Sequence, residues 1–238
     1  AIMPMIILTC LASRLSNKQV VWVEDRMEHL TAASSATGRL TKIKASIDDQ
    51  GTIHALDYDQ IDDVGAYPRA PEPASLYRMH GNLSGAYKVK NIRCRNRVIL
   101  TNKTPSGLNR GFGGPQHYFA LERLVHQIAV ELKLNVLDVI KINLLEKNQF
   151  PYKSPSGALL DSGNFQKLVK KVIESSTYKK ILKNKNDSIK NGKIYGIGYS
   201  AIIEPSISNM GYVTTALPYQ DRETVSYTHL TLPTNSNV

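Results

Sequence analysis

The 238-residue chain has only two cysteines, Cys10 and Cys94, with no CxxC pair and no metal-ligand spacing. That excludes a disulfide framework or a zinc module as the organising device and points to a reducing compartment such as the cytoplasm. The six histidines, at 29, 54, 80, 117, 126 and 229, fall at no spacing that suits a metal either. No apolar run approaches the roughly 20 residues needed to cross a bilayer. The opening AIMPMIILTCLASRL has an apolar core of signal-peptide length, but it lacks a basic stretch before it and an initiator methionine. A buried helix over residues 2–15 is the better reading. Acidic residues are also short, 20 against 30 lysines and arginines, for a net charge of +10. The imbalance is local. Between Asn164 and Lys193 nine lysines face only Glu174 and Asp187. That segment has no arginine and few aromatics, so base stacking and bidentate readout are poorly served, and a solvated helix face accounts for it.

What is present is a mixed pattern. VVWVED (20–25) has the β-branched character of a strand. LTKIKASIDDQGTIHALDYDQ (40–60) predicts a long antiparallel hairpin, with Leu40, Ile43, Ala45 and Ile47 before a turn at Asp48–Gly51 and Ile53, Ala55, Leu56, Tyr58 and Ile61 after it. DVGAYPRAPEP (63–73) reads as loop, and 87–102 as one or two strands. Phe119, Leu121, Leu124, Val125, Ile128, Ala129 and Leu132 recur at helical spacing over 116–133, with Pro115 suited to the first turn. A second helix places Val136, Val139, Ile140, Asn143 and Leu144 on one side. Residues 150–164 read as loop and short strand, with Asp161–Ser162 as a helix cap region. Residues 165–176 predict a helix with Leu168, Val169, Val172 and Ile173 inward. KNKNDSIKNGK (183–193) reads as a polar connector and IYGIGYSAIIEP (194–205) as a strand opening a new unit. Trp22 and Tyr67 read as packing residues.

The chemistry-bearing stretch is NRGFGGPQHYFA (109–120). A strand, then Gly111-Phe112-Gly113-Gly114, then a helix start aims backbone N–H groups outward beside a positive dipole end, which suits an anion or a polar oxo group. It is neither a Walker A loop, for want of Gly-Lys-Ser/Thr, nor a dinucleotide fingerprint, for want of the third glycine. Spacing alone leaves two readings open, an anion or cofactor site and a tight structural turn.

The wider stretch TNKTPSGLNRGFGGPQHYFALERL (101–124) resembles the molybdenum-binding loop of the molybdenum hydroxylases, meaning xanthine dehydrogenases, aldehyde oxidases and large subunits of carbon-monoxide-dehydrogenase type. The shared elements are Arg110, Gly111, Phe112, Gly113, Gly114, Pro115, Gln116 and the Glu122-Arg123 pair. WVEDRMEHL (22–30), the Gly51 hairpin, DVGAY (63–67), PYKSPSGALLDSGNF (151–165) and YGIGYSAIIEP (195–205) follow in family order, so the resemblance covers about residues 1–224. The end, VSYTHLTLPTNSNV (225–238), instead resembles a translated sequencing adapter and is expected to carry no selected structure.

The resemblance implies an α/β mixed (α+β) fold, molybdopterin-binding-domain-like, with antiparallel-rich sheets and flanking helices. Two subdomains are expected: 1–190, incomplete at its N-terminus, and 191–224, the start of the second. It implies a molybdenum cofactor held by a pterin dithiolene, with molybdopterin in a nucleotide form such as the cytosine dinucleotide. Water-derived oxygen is then inserted at an electron-poor carbon of an aldehyde or heterocycle, with a glutamate as base. Electrons leave through iron–sulfur clusters to FAD on partner subunits of a hetero-oligomer. Arg110, Gly111, Phe112, Gly113, Gly114 and Gln116 carry over as cofactor-binding, and Phe112 and Arg78 as substrate-binding. No residue carries over as the general base. That glutamate belongs to a distal part of such subunits, Glu204 does not match it, and the chain alone is expected to be inactive. Gly111 stands where the copper-bridging cysteine of true carbon monoxide dehydrogenases would be, so a Mo–Cu centre is not expected. Two other classes compete: a basic RNA-binding module using the Arg-Gly loop and the lysine-rich helix, and a catalytically inert structural or interface domain.

Overall fold

The structure is a computed structural model that describes residues 3–36, 38–69, 76, 79–107, 109–111 and 113–203. Arg78, Phe112, Glu204 and the 225–238 segment lie outside the described residues.

The chain opens with helix α1 (Met3–Ser16) and then α2 (Arg26–Ala32). Residues 20–25 are not the expected strand. Among the described residues their valines pair with no strand, and Asp25 caps α2 instead. Its carboxylate accepts from Glu28 N at 2.8 Å, and Glu28 Oε2 accepts from Asp25 N at 2.9 Å, a reciprocal box that satisfies two helix-end donors. Helix α1 is not buried either: Ile6, Ile7, Leu8, Leu11 and Leu15 are all exposed. Tyr67 and Trp22, read as packing residues, are also largely exposed.

The expected hairpin is present as β1 (Gly38–Ile47) and β2 (Ile53–Asp63), and β3 (Asn91–Ile99) completes a sheet of order β1-β2-β3. Gly51, at φ 83, is the residue the turn requires. Asp48 closes the turn by accepting from Gln50 N (3.0 Å) and Thr52 N (2.8 Å). The half-buried positions of β1 are the odd-numbered ones, so Leu40 faces out and Arg39 faces in. Arg39 meets Asp62 of β2 through Nε at 2.6 Å and Nη2 at 2.8 Å, a buried bidentate pair.

Helix α3 (Gly114–Glu131) follows the glycine loop, and α4 (Val136–Asn143) follows it, capped by Asn135. In α3 the inward side is His117, Tyr118, Leu121, Glu122, Val125, Ile128 and Ala129. Phe119, expected inward, points out, because the buried arc lies one residue to its side. A two-stranded antiparallel ribbon, β4 (Tyr152–Lys153) with β5 (Leu159–Leu160), precedes α5 (Phe165–Glu174) and α6 (Ser176–Lys190). The cap of α5 is Asn164, which accepts from Lys167 N, rather than Asp161–Ser162. Leu168 and Val172 of α5, expected inward, are exposed, while Val169 and Ile173 are half-buried. The expected connector 183–193 is helical through Lys190, and residues 194–203 form no strand.

The chain resolves into two compact units. The first comprises Ala1–Lys44, Asp57–Met79 and Arg93–Ala120, and the second Ala45–Leu56, His80–Ile92 and Leu121–Val238. The core of the second unit includes Ile53, Leu56, Tyr87, Val89, Leu121, Val125, Val139, Ile140, Leu144 and Leu145. Asn143 is its polar hub. Nδ2 donates to Gly51 O and Val139 O, both at 2.8 Å, and Oδ1 accepts from Ile53 N at 2.8 Å.

Candidate functional site

In the first unit, the run from Asp63 to Gly65 is stitched to the residues leading into the glycine loop. Val64 N donates to Ile99 O, Thr101 N to Gly65 O, Ala66 N to Lys103 O and Ser106 N to Val64 O. Asp63 Oδ1 accepts from Thr101 Oγ1 at 2.6 Å and from Gly65 N at 2.9 Å, and Lys103 Nζ lies 3.2 Å from its other oxygen. The Thr101 hydroxyl first, then the Gly65 amide and Lys103, hold the Asp63 carboxyl below its usual range. Gly65, at φ 80, has no room for a side chain: a Cβ would lie 2.5 Å from Thr104 O. The DVGAY motif therefore anchors the base of the loop.

The loop turns over Gly111–Gly114, closed by Gly114 N donating to Gly111 O at 2.8 Å. Gly111 and Gly113 have φ of 92 and 84, the left-handed region that favours glycine. A Cβ on Gly111 would come within 2.7 Å of the Pro115 ring, so this glycine answers to the chain's own turn. Gly113 differs. It is buried, its carbonyl accepts from His117 N as the helix starts, and its own N–H has no partner among the described residues. A buried amide left in this state at the positive end of an 18-residue helix is the feature a polar ligand group would satisfy.

Of the sequence-predicted residues, Arg110 is exposed at the start of the turn, Gly111 is half-buried, Gly113 and Gly114 are buried, and Gln116 is half-buried in the first turn of α3. The turn brings these five together by chain continuity. Arg78 and Phe112 lie outside the described residues. Gly111 and the Gly114 amide serve the turn, and the Gly113 amide is left over from it. In the same unit Gln60 Nε2 and Ser106 Oγ are also buried, with no hydrogen-bond partner among the described residues. His117, wholly buried, lies between Tyr58 and Tyr118, with ring centroids at 5.6 and 5.2 Å.

The second unit holds a polar cluster that the sequence reading did not assemble. Tyr87 Oη lies 3.0 Å from both oxygens of Glu122, and Ala201 N donates to Glu122 Oε2 at 2.9 Å. Burial pushes the Glu122 carboxyl up to about 7, against the lowering effect of the Ala201 and Tyr87 hydrogen bonds. The same burial, aided by the neighbouring carboxylate, raises the Tyr87 hydroxyl. One turn on, His126 Nε2 lies 2.6 Å from Tyr199 O and 3.3 Å from Tyr199 N. Tyr199 Oη is 3.1 Å from Tyr178 Oη. Where a strand was expected, the backbone of Tyr199 and Ala201 instead meets the α3 side chains His126 and Glu122. The four-residue spacing of Glu122 and His126 was a visible signal, whereas Tyr87 and Tyr199 are too distant in sequence to have been paired with them. In the same unit, Glu146, Lys147, Asn148, Asn164 and Gln166 line a shallow groove that contains none of the predicted site residues.

Residues 1–144 match the sequence profile of the molybdopterin cofactor-binding domain. The chain is 28% identical over 204 residues to the nicotine 6-hydroxylase large subunit of Paenarthrobacter nicotinovorans, covering 84% of this chain and 25% of that protein. It is 29% identical over 202 residues to the carbon monoxide dehydrogenase large chain of Afipia carboxidovorans, covering 81% and 25%. Among solved structures, quinoline 2-oxidoreductase from Pseudomonas putida 86 superposes with a TM-score of 0.71 at 27% identity, over 79% of this chain and 24% of that one. The chain spans about a quarter of the length of these relatives. The α+β architecture, the ordered motifs around the Arg110–Gln116 turn and the match over 1–144 agree, and the chain belongs to the molybdopterin cofactor-binding domain family of the molybdenum hydroxylases.

Proposed function

We propose that this chain is the part of a molybdenum hydroxylase large subunit that presents the Arg110–Gln116 turn to the molybdenum cofactor. The observation that carries the reading is the buried Gly113 amide, without a partner among the described residues, at the head of α3. The residues fit such a group. The Gly113 N–H and the α3 terminus offer hydrogen-bond donors to its polar atoms, Arg110 adds a mobile positive charge, and Gln116 adds an amide from the first helical turn. When bound, the pterin-held molybdenum supplies the oxygen-transfer and two-electron chemistry. The chain's own work is to bind and orient. Phe112 and Arg78 are assigned to the substrate side, one to pack on a flat ring and the other to orient polar substituents. The general base is assigned to a glutamate outside this chain.

Aldehydes or nitrogen heterocycles are the proposed substrates. The heterocycle class gains support from the names of the relatives, a nicotine hydroxylase and a quinoline oxidoreductase among them. We assign the subunit to a cytoplasmic hetero-oligomer with FAD-binding and iron–sulfur partners, and we divide the domain at about residue 190. The two cysteines, both free thiols, agree with a reducing compartment. The test is purification of the full-length subunit with its companions from cells that make the cofactor. About one molybdenum and one pterin per subunit are expected, and Arg110→Ala should retain the cofactor about tenfold less tightly on dilution. A subunit free of both molybdenum and pterin would overturn the proposal.

A further inference from the structure

The run that leads into the Arg110–Gln116 turn is gripped by two segments of the first unit. Ser106 N donates to Val64 O at 3.0 Å, and the next residue, Gly107, donates its N–H to Ser35 O at 2.9 Å. Ser35 and Ser106 form a parallel bridge, and Thr104 Oγ1 donates to Thr31 O at 3.3 Å. The first grip is the DVGAY motif. The second comes from the end of α2 and the residues just after it.

Gly107 shows how close this second grip is. It is buried and is not among the glycines at positive φ, so its backbone would accept other residues. What bars a side chain is space. A Cβ at 107 would lie 2.4 Å from Ser34 Oγ and 2.7 Å from Ser34 Cβ. The hydroxyl can swing aside, but Ser34 Cβ moves only with its own backbone, and the neighbouring Ser35 carbonyl holds that backbone to the Gly107 amide. Carbon atoms settle about 3.5–4.0 Å apart, so a methyl group at 107 would drive the two backbones apart by about 1 Å. Arg110 stands three residues further on. We propose that Ser34 and Gly107 form a spacer lock whose contact sets where the Arg110–Gln116 turn sits, which makes the segment after α2 a positioning element for the group that the turn receives. The proposal rests on the reading of this turn as facing the cofactor. Both residues act through the turn, where an error of about 1 Å is costly for a group that must be held in register.

The test uses the full-length large subunit with its companions, made in cells that supply the cofactor. Three forms are compared: the unsubstituted subunit, Gly107→Ala, and Gly107→Ala combined with Ser34→Gly, which vacates the space that the new methyl group needs. Gly107→Ala should retain molybdenum and pterin about tenfold less well on dilution, with subunit composition intact and cooperative unfolding kept. The double variant should recover to within about twofold of the unsubstituted form. A second readout needs no cofactor. In the cofactor-free subunit, hydrogen exchange at the Gly114 amide, which closes the turn onto Gly111 O, should quicken about tenfold in Gly107→Ala and return in the double variant. Unchanged exchange at Gly114 overturns the proposal, and so does unchanged retention in a subunit that holds molybdenum. A loss that Ser34→Gly fails to repair overturns it too. So does a Gly107→Ala subunit without a cooperative transition, which assigns the contact to folding rather than to the turn. Molybdenum in the unsubstituted subunit reports on the functional reading separately. Exchange that quickens and recovers in a subunit that never holds molybdenum would sink that reading and leave the lock standing.

Discussion

Glu122 is a carboxyl in surroundings that favour its neutral form. It is 6% exposed, and burial raises its folded pKa to about 7 from an ordinary 4.5. With the folded value above the unfolded one, its stabilising contribution is full below about pH 4.5 and is lost as pH rises to about 7. The size of that loss is about 3 kcal/mol. Glu122→Gln removes the titration while keeping an oxygen for the Ala201 amide. Urea unfolding at pH 5 and pH 8 should therefore show the unsubstituted protein losing stability relative to the variant as pH rises. Parallel curves would mean that Glu122 titrates as an exposed carboxyl. At the same scale, Gly65 and Gly111 show why part of the site was legible in sequence. A glycine pressed against a carbonyl or a proline ring leaves a fixed, local signature, and the cluster of glycines before Pro115 announced a turn. The Tyr87–Glu122–Ala201 contacts left no such mark, because they join residues 35 and 79 apart through tertiary packing alone.

At the scale of elements, the β1–β2 hairpin and helices α3 and α4 were readable because each has a strong period and a clear stop. Gly51 supplies the turn and Asn135 the cap. Residues 20–25 misled because three valines mimic a strand, although Asp25 and Glu28, three apart, spell a capping box for α2. Helix α6 was hidden by its asparagines and lysines, residues that also make loops, and its start is marked by the cap at Ser175, which accepts from Tyr178 N. The expected inward position of Asn143 was met, for a reason that periodicity could not reveal: it ties α4 to the end of the hairpin. Asn143→Leu keeps the volume and strands the Ile53 N–H and Gly51 C=O away from water. A loss of about 2–4 kcal/mol is expected in urea unfolding. A loss under about 0.5 kcal/mol would mean that water reaches both groups.

For the whole molecule, the +10 charge is concentrated on α5 and α6, where every lysine except Lys185 is exposed. Lysines without arginines or stacking aromatics form a diffuse counter-ion surface rather than a reader of bases. Single-stranded nucleic acid immobilised on a column should release the protein by roughly 0.3 M salt, whatever its sequence. Retention well above that, or a base preference, would revive a nucleic-acid role. A different consequence follows from the Arg39–Asp62 pair, closed inside the sheet at 2.6 and 2.8 Å. If β1 slid by one position against β2, the guanidinium would swing to the opposite face, abandoning a carboxylate sealed from solvent, a penalty of about 3–5 kcal/mol. The two charges thus fix the alignment of the hairpin in the folded chain: any shifted pairing would leave a charge enclosed without its counterpart.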